Sequence, residues 1–322
     1  MALPTDEHTL ALSRDLLQSL DNLNGGEHPG FRAAHAKGIL LSGTFVPAPE
    51  ARSLTRAPHA VRTSTPVSVR FSNSAGIPSI PDTDIEHSSP RGIAIRFHLA
   101  DHVHTDVIGV STDGFPVQKP EEFLEFLRAI HASGPGAPKP TPIEAYLGTH
   151  PIALKYVVMT PKPIPSSFAR EKFFTPTALK FINESGTIRF GRFRARPELG
   201  YEALDPSVSA AKPENFLFDE ILERIAAGPI KFNLSVQLAE SGDVVDNASL
   251  VWPDDRKETP FGTITLTEVV PHNESEQRTI IFDPIPRVDG IESSGDPLLE
   301  VRAAIYLMSG RRRRAAGGTA SA

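Results

Sequence analysis

The chain contains no cysteine. That absence excludes disulfides, thiolate-ligated haem, iron–sulfur clusters, zinc ribbons and a cysteine nucleophile, so any metal must be held by histidine, tyrosine or carboxylate. No apolar run reaches the roughly 20 residues of a membrane span, and Met1 to Glu7 lacks the basic start and apolar stretch of a signal peptide. A cytoplasmic location is the expectation, or a periplasmic one if a leader has been removed. A strong excess of one charge is also missing. Thirty-three basic against 39 acidic side chains leave a formal charge of −6, which argues against a nucleic-acid surface. The one basic tract, Arg311 to Arg314, precedes a small-residue tail from Ala315 to Ala322. Internal repeats are absent, and tryptophan occurs once, as Trp252 in a Val-Trp-Pro setting that reads as packing.

What is present is enough apolar residue, 39% of 322, for a large core. Leucines at near-helical spacing from residue 5 to 23, ended by Gly25-Gly26, predict an N-terminal helix. Short β-branched or alternating runs follow at Gly38–Val46, Val67–Ser72, Gly92–Leu99 and Asp106–Val110. Pro120 opens an amphipathic helix, and Gly134 to Pro142 reads as a surface loop. Further strands are expected at Thr187–Arg196 and Ile230–Leu238, a helix at Pro213–Ala227, and a hairpin from Phe261–Val270 with Thr279–Phe282. The reading is α+β: one antiparallel β-barrel of about eight strands with inserted and flanking helices. Residues 1–30 form a helical arm, 31–314 the barrel domain and 315–322 a flexible tail.

Near the C-terminus, Asp296 is a natural helix cap and Pro297 suits a first helical position, so Arg302 and Tyr306 fall one turn apart on one face. A guanidinium beside a phenol oxygen favours the phenolate, a hard anionic ligand suited to ferric iron, haem iron included. Upstream, His35 stands before a β run with Arg32 three residues earlier, and a near-neutral imidazole is suited to moving a proton. In Val69-Arg70-Phe71-Ser72, alternation puts Arg70 and Ser72 on one face. If that face looks inward, the arginine needs an anion and the serine a polar partner.

Taken together these pieces resemble the haem catalase superfamily, and specifically its short branch of catalase-related peroxidases. The matching segments run in family order: Arg32-Ala33-Ala34-His35-Ala36-Lys37-Gly38, Val69 to Ser72, Pro90-Arg91-Gly92-Ile93-Ala94-Ile95-Arg96-Phe97, Val251-Trp252-Pro253, Gly262 to Leu266, Phe282-Asp283-Pro284, Gly290-Ile291-Glu292, and Arg302 with Tyr306. The resemblance implies a catalase-like barrel holding haem b, with Tyr306 as the tyrosinate ligand of ferric iron and Arg302 as its charge partner. It makes His35 the distal acid/base and Ser72 its orienting partner. Arg32, Arg70 and Arg313 become propionate clamps, and Phe115 a residue beside the haem. The implied activity is oxidation of small organic reductants by hydrogen peroxide or an organic peroxide, with weak catalase activity. A homodimer is expected, with neither nucleic acid nor membrane as partner.

One part of the pattern is missing. Large catalases carry an asparagine beside the distal histidine, on a segment that corresponds to residues 106–115, and none occurs there. Ser111, Thr112 or Asp113 could serve instead. Other readings are a fatty-acid hydroperoxide isomerase of the allene oxide synthase kind, a haem carrier without turnover, and a cupin-like metal site at His98, His102, His104 and Asp106. For the last, a solvated turn is the better reading of Asp101 to His104.

Overall fold

The computed structural model describes residues 2–159 and 161–317. Ten antiparallel strands form one sheet: β1 (Gly38–Pro47), β2 (Thr65–Ser72), β3 (Gly92–Ala100), β4 (Val103–Val110), β5 (Phe173–Phe174), β6 (Leu179–Ile182), β7 (Ile188–Pro197), β8 (Ile230–Leu238), β9 (Glu258–Val269) and β10 (Ile291–Ser293). The order β10-β6-β7-β5-β4-β3-β2-β1-β9-β8 closes on itself because β7 also pairs with β8, so eight strands make a barrel and β6 and β10 extend it along β7. Closure leaves the ring without an edge.

Alternation along the strands sends one set of side chains inward. Val67, Val69 and Phe71 of β2 join Ile93, Ile95 and Phe97 of β3, Phe193 of β7, Phe232 of β8 and Phe261 of β9 in the buried barrel core. Arg70 and Ser72 alternate with these, so the face carrying them looks outward from the barrel. The face is still buried, because helices cover it. A second apolar cluster lies there, joining Leu12, Leu16 and Leu17 of the N-terminal helix (Glu7–Leu23), Leu124 and Leu127 of the Pro120–His131 helix, and Val301 and Ile305 of the C-terminal helix (Leu298–Ala316). Asp296 accepts the Leu298 N–H at 2.9 Å and Pro297 already has helical angles, as the sequence predicts for that helix start.

Three expectations need correction. The segment expected to be the second arm of a hairpin begins inside a helix, Asn273–Thr279, and β9 pairs with β1 and β8 instead. Pro271 ends the strand, and the polar run that follows suits a helix better than a ladder. The Asp101–His102 turn is real, but Val103 and His104 belong to β4, where His104 pairs with His98 across the ladder. Ala315 and Ala316 complete the C-terminal helix, and residues 318–322 of the expected tail lie outside the described residues. No helix among the described residues is long and apolar enough to cross a membrane.

One polar side chain sits within the aromatic core. His59, from the short Pro58–Val61 helix, is 0% exposed and stacks on Phe97 at 4.5 Å, with Phe45 and Phe261 beside it. Neither ring nitrogen has a hydrogen-bond partner. Burial, with the Arg62 charge second, holds its pKa down at about 3. The unfolded chain therefore binds the extra proton between about pH 6.5 and 3 while the folded chain does not, so stability falls as pH falls through that window. His59→Phe should move the acid-unfolding midpoint, followed by circular dichroism, to lower pH; an unchanged midpoint would contradict this account of the core.

Candidate active site

The outward face of β2 and β3 sets the first wall. His35 precedes β1 in a left-handed conformation, φ 58°, held by its own N–H to Ser74 O at 2.7 Å and by Ala36 N–H to Ala75 O at 2.9 Å. A side chain rarely takes this conformation without such support. The ring lies with Nδ1 3.1 Å from Ser72 Oγ. Gly92 opposes Ser72 on the neighbouring strand, and a Cβ there would stand 2.7 Å from Ser72 Oγ and 2.8 Å from His35 Nδ1. Only glycine leaves the imidazole its place. Val110 opposes Gly92 on β4 and projects from the same face. Burial, followed by the Arg70 charge, holds His35 at a pKa of about 4, so it is neutral at pH 7.

The second wall is the C-terminal helix. Arg302 Nη2 donates to Tyr306 Oη at 3.3 Å, and Nη1 lies 3.4 Å from Thr177 Oγ1. Burial disfavours the Arg302 charge, yet the Tyr306 oxygen, the hydrogen bond to it and Asp296 outweigh that cost and leave the group above its ordinary value. The two walls face a common interior. His35 feels the charges of Arg32 and Arg302, and Arg32 in turn feels Tyr306.

Arg32, Arg70 and Arg313 close the site at one edge. Arg70 and Arg313 are each 3% exposed. Arg32 donates to Ile280 O at 3.2 Å and Arg313 to the same oxygen at 2.9 Å, while Arg70 Nε donates to Gln277 Oε1 at 2.7 Å. Among the described residues no carboxylate lies within ion-pairing distance of these three groups. Burial comes first for all three; the Arg70 and Arg313 charges then lower Arg32, the Arg313 charge lowers Arg70, to about 9, and the Arg314 charge lowers Arg313, to about 10. Arg313 Nε has no partner. Such a cluster is costly as it stands, and a ligand carrying carboxylates would satisfy it. The donor set therefore fits a haem: a phenol oxygen with a guanidinium on one side, a neutral imidazole on the other, and buried cations at the edge.

Phe115 lies in the second apolar cluster with Tyr306 and packs on Phe123 at 5.0 Å. All six cofactor-binding candidates and both catalytic candidates thus fall on or beside one buried face. The three residues considered in place of the missing asparagine are already engaged. Ser111 Oγ accepts the Arg91 N–H at 3.0 Å, Thr112 Oγ1 pairs with Tyr156 Oη at 3.0 Å, and Asp113 accepts from Arg194 at 2.7 Å. The cupin-like alternative has no support. Asp106 accepts both Arg96 donors at 2.8 and 2.7 Å, His102 sits in the exposed turn, and no cluster of metal-ligating side chains occurs among the described residues. Trp252 is buried under the Arg192 guanidinium, 4.2 Å from its ring, with its N–H on Val244 O.

Sequence reasoning missed Gln277 and the Ile280 carbonyl, which hold the arginine cluster, and Val110, which flanks His35. Gln277 sits in an ordinary polar run and Ile280 acts through its backbone, so neither carries a signal. Val110 was readable only from strand register.

Comparison with known proteins bears on the family and on the fold. Residues 10–319 match the family described as Catalase. The catalase-related peroxidase of Synechococcus elongatus is 33% identical over 290 residues, covering 89% of this chain and 85% of the relative. That of Mycolicibacterium paratuberculosis is 34% identical, covering 92% and 94%. Among solved structures, a fungal catalase superposes with a TM-score of 0.77 at 22% identity and catalase A of Saccharomyces cerevisiae with 0.75 at 21%. This chain spans 62% and 63% of those two chains, and at such identity they bear on the fold alone. On the family match and the two peroxidase relatives, the chain belongs to the catalase family.

Proposed function

We propose that this protein is a haem-dependent peroxidase, using hydrogen peroxide or an organic peroxide to oxidise small organic reductants, with weak catalase activity alongside. Family membership and the likeness to catalase-related peroxidases support an oxidoreductase acting on peroxide. The observation that carries the cofactor assignment is the cluster of buried Arg70 and Arg313 with half-buried Arg32, without a protein anion, beside the Arg302–Tyr306 pair. In this reading the trio holds the two carboxylates of haem b, Tyr306 is the proximal ligand as a phenolate, and Phe115 packs beside the macrocycle. Bound there, ferric haem supplies the redox chemistry that accepts two electrons' worth of oxidation from peroxide.

The chain's own residues do the rest. Arg302 donates to the Tyr306 oxygen at 3.3 Å and fixes its direction. Ser72 at Nδ1 orients His35 and leaves Nε2 free to take the proton of the nearer peroxide oxygen. The same nitrogen returns that proton to the farther oxygen, which departs as water. A neutral imidazole at pH 7 is the required starting state, and burial supplies it. Gly92 and Val110 flank His35 with no side-chain donor. A second peroxide would therefore meet one acid/base group instead of two, which favours turnover by a reductant over dismutation. A homodimeric assembly completes the reading.

The haem-loaded protein should show a high-spin ferric spectrum with a phenolate-type charge-transfer band that disappears in Tyr306→Phe; a protein that takes up no haem ends the assignment. His35→Ala should retain haem while cleaving peroxide about a thousandfold more slowly in stopped-flow measurements. An undiminished rate there would remove His35 from its role. Arg70→Met relieves repulsion in the haem-free protein but deletes a clamp, so it should raise the melting temperature of the haem-free form by a few degrees while speeding haem transfer to apomyoglobin about tenfold. Unaltered haem transfer would count against the clamp.

A further inference from the structure

The charge at the arginine edge does not balance even with two haem carboxylates present, and we propose that the surplus selects the reductant: the edge takes small anionic phenols. The inference rests on the haem-peroxidase reading above. Three guanidiniums, those of Arg70 and Arg313 buried and that of Arg32 half-buried, against two carboxylates leave one cation over. The rim extends the imbalance. Arg278 runs against the Gly30 turn, its Nε 3.6 Å from where a Cβ at Gly30 would stand, and against Gly317 at the end of the C-terminal helix. Arg314 donates Nε and Nη2 to Thr279 O at 2.9 and 2.6 Å, and Arg311 is exposed. Among the described residues none of these three has an ion-pair partner. Arg312 is matched, by Asp21 at 2.8 Å and Glu27 at 3.3 Å, and Glu274 and Glu276 lie in the first turn of the helix whose last turn carries Arg278.

In a chain of net charge −6, this edge therefore carries a local field opposite in sign to the whole. A shallow surface groove lies there, lined by Asp21, Asn24, Glu27, Phe31, Arg32 and Arg312 among others, with both carboxylates paired to Arg312. Phe31 is 48% exposed and offers an aromatic face, while Arg32, next in sequence and half-buried, lines the same groove and belongs to the arginine cluster. An aromatic ring bearing a carboxylate meets both features at once. Each phenol gives up one electron and its hydroxyl proton and leaves as a phenoxyl radical. Two phenols and one hydrogen peroxide thus yield two radicals and two waters.

The test compares two phenols of similar size and opposite charge, 3-(4-hydroxyphenyl)propionate and tyramine, with neutral guaiacol as reference, on the haem-loaded protein. At low ionic strength kcat/KM for the anion should exceed that for the cation by about tenfold, and the gap should narrow as salt is raised to about 0.5 M. Equilibrium dialysis without peroxide should give the same order of binding. Arg278→Glu combined with Arg311→Glu should shrink the anion-to-guaiacol ratio through KM more than through kcat. Equal efficiencies for anion and cation, with guaiacol still oxidised, would overturn the inference and leave the peroxidase reading standing. Failure to oxidise any of the three would overturn that reading and the inference with it.

Discussion

Burying a guanidinium away from water without an anion costs several kcal/mol, and this protein does so twice, at Arg70 and Arg313, with the half-buried Arg32 beside them. Arg32, Arg70 and Arg313 come from a loop, a strand and a helix far apart in sequence; after burial, the Arg70 and Arg313 charges lower Arg32, and the Arg313 charge lowers Arg70. A fold does not gather such groups for its own stability. The cost is offset in part by neutral acceptors, the Ile280 carbonyl and the Gln277 amide, which satisfy some donors and leave the charge unspent. That stored charge ties together the cofactor assignment, the position of the C-terminal helix and the sign of the field at the rim.

The barrel makes this arrangement rigid. Its phenylalanine-rich interior fixes the strands, and the register of β1, β2, β3 and β4 then places Gly38, Ser72, Gly92 and Val110 in one row on the outward face. The imidazole of His35 rests on that row because Gly92 has no side chain. The interior is filled by core side chains, and the candidate site lies outside it, between sheet and helices. This differs from ligand-holding barrels, where the cavity is the lumen.

Opposite electrostatic demands meet within the site. The Tyr306 oxygen has a cation beside it, and the His35 ring stays uncharged among several. Enclosure resolves the conflict, since low polarity strengthens the Arg302–Tyr306 contact and at the same time penalises a proton on His35. One physical term acts on both groups in the direction each role requires.

Much of this was legible in the chain. The strands Gly38–Pro47, Gly92–Ala100 and Ile230–Leu238, the N-terminal helix and the Asp296-capped C-terminal helix follow from local periodicity and capping, which depend on neighbours a few residues away. The pairing of Arg302 with Tyr306 is of the same kind, because one helical turn decides it. The two-residue strand β5, the helix at Asn273–Thr279, the outward direction of the Arg70–Ser72 face and the place of Val110 beside Gly92 were not legible. Each is set by which strand lies next to which, and by closure of the ring through β7 and β8. What the sequence alone determined is the set of candidate groups and the local geometry that prepares them. Only the tertiary structure decided that three distant arginines share one edge without an anion, because that juxtaposition depends on contacts between segments more than two hundred residues apart.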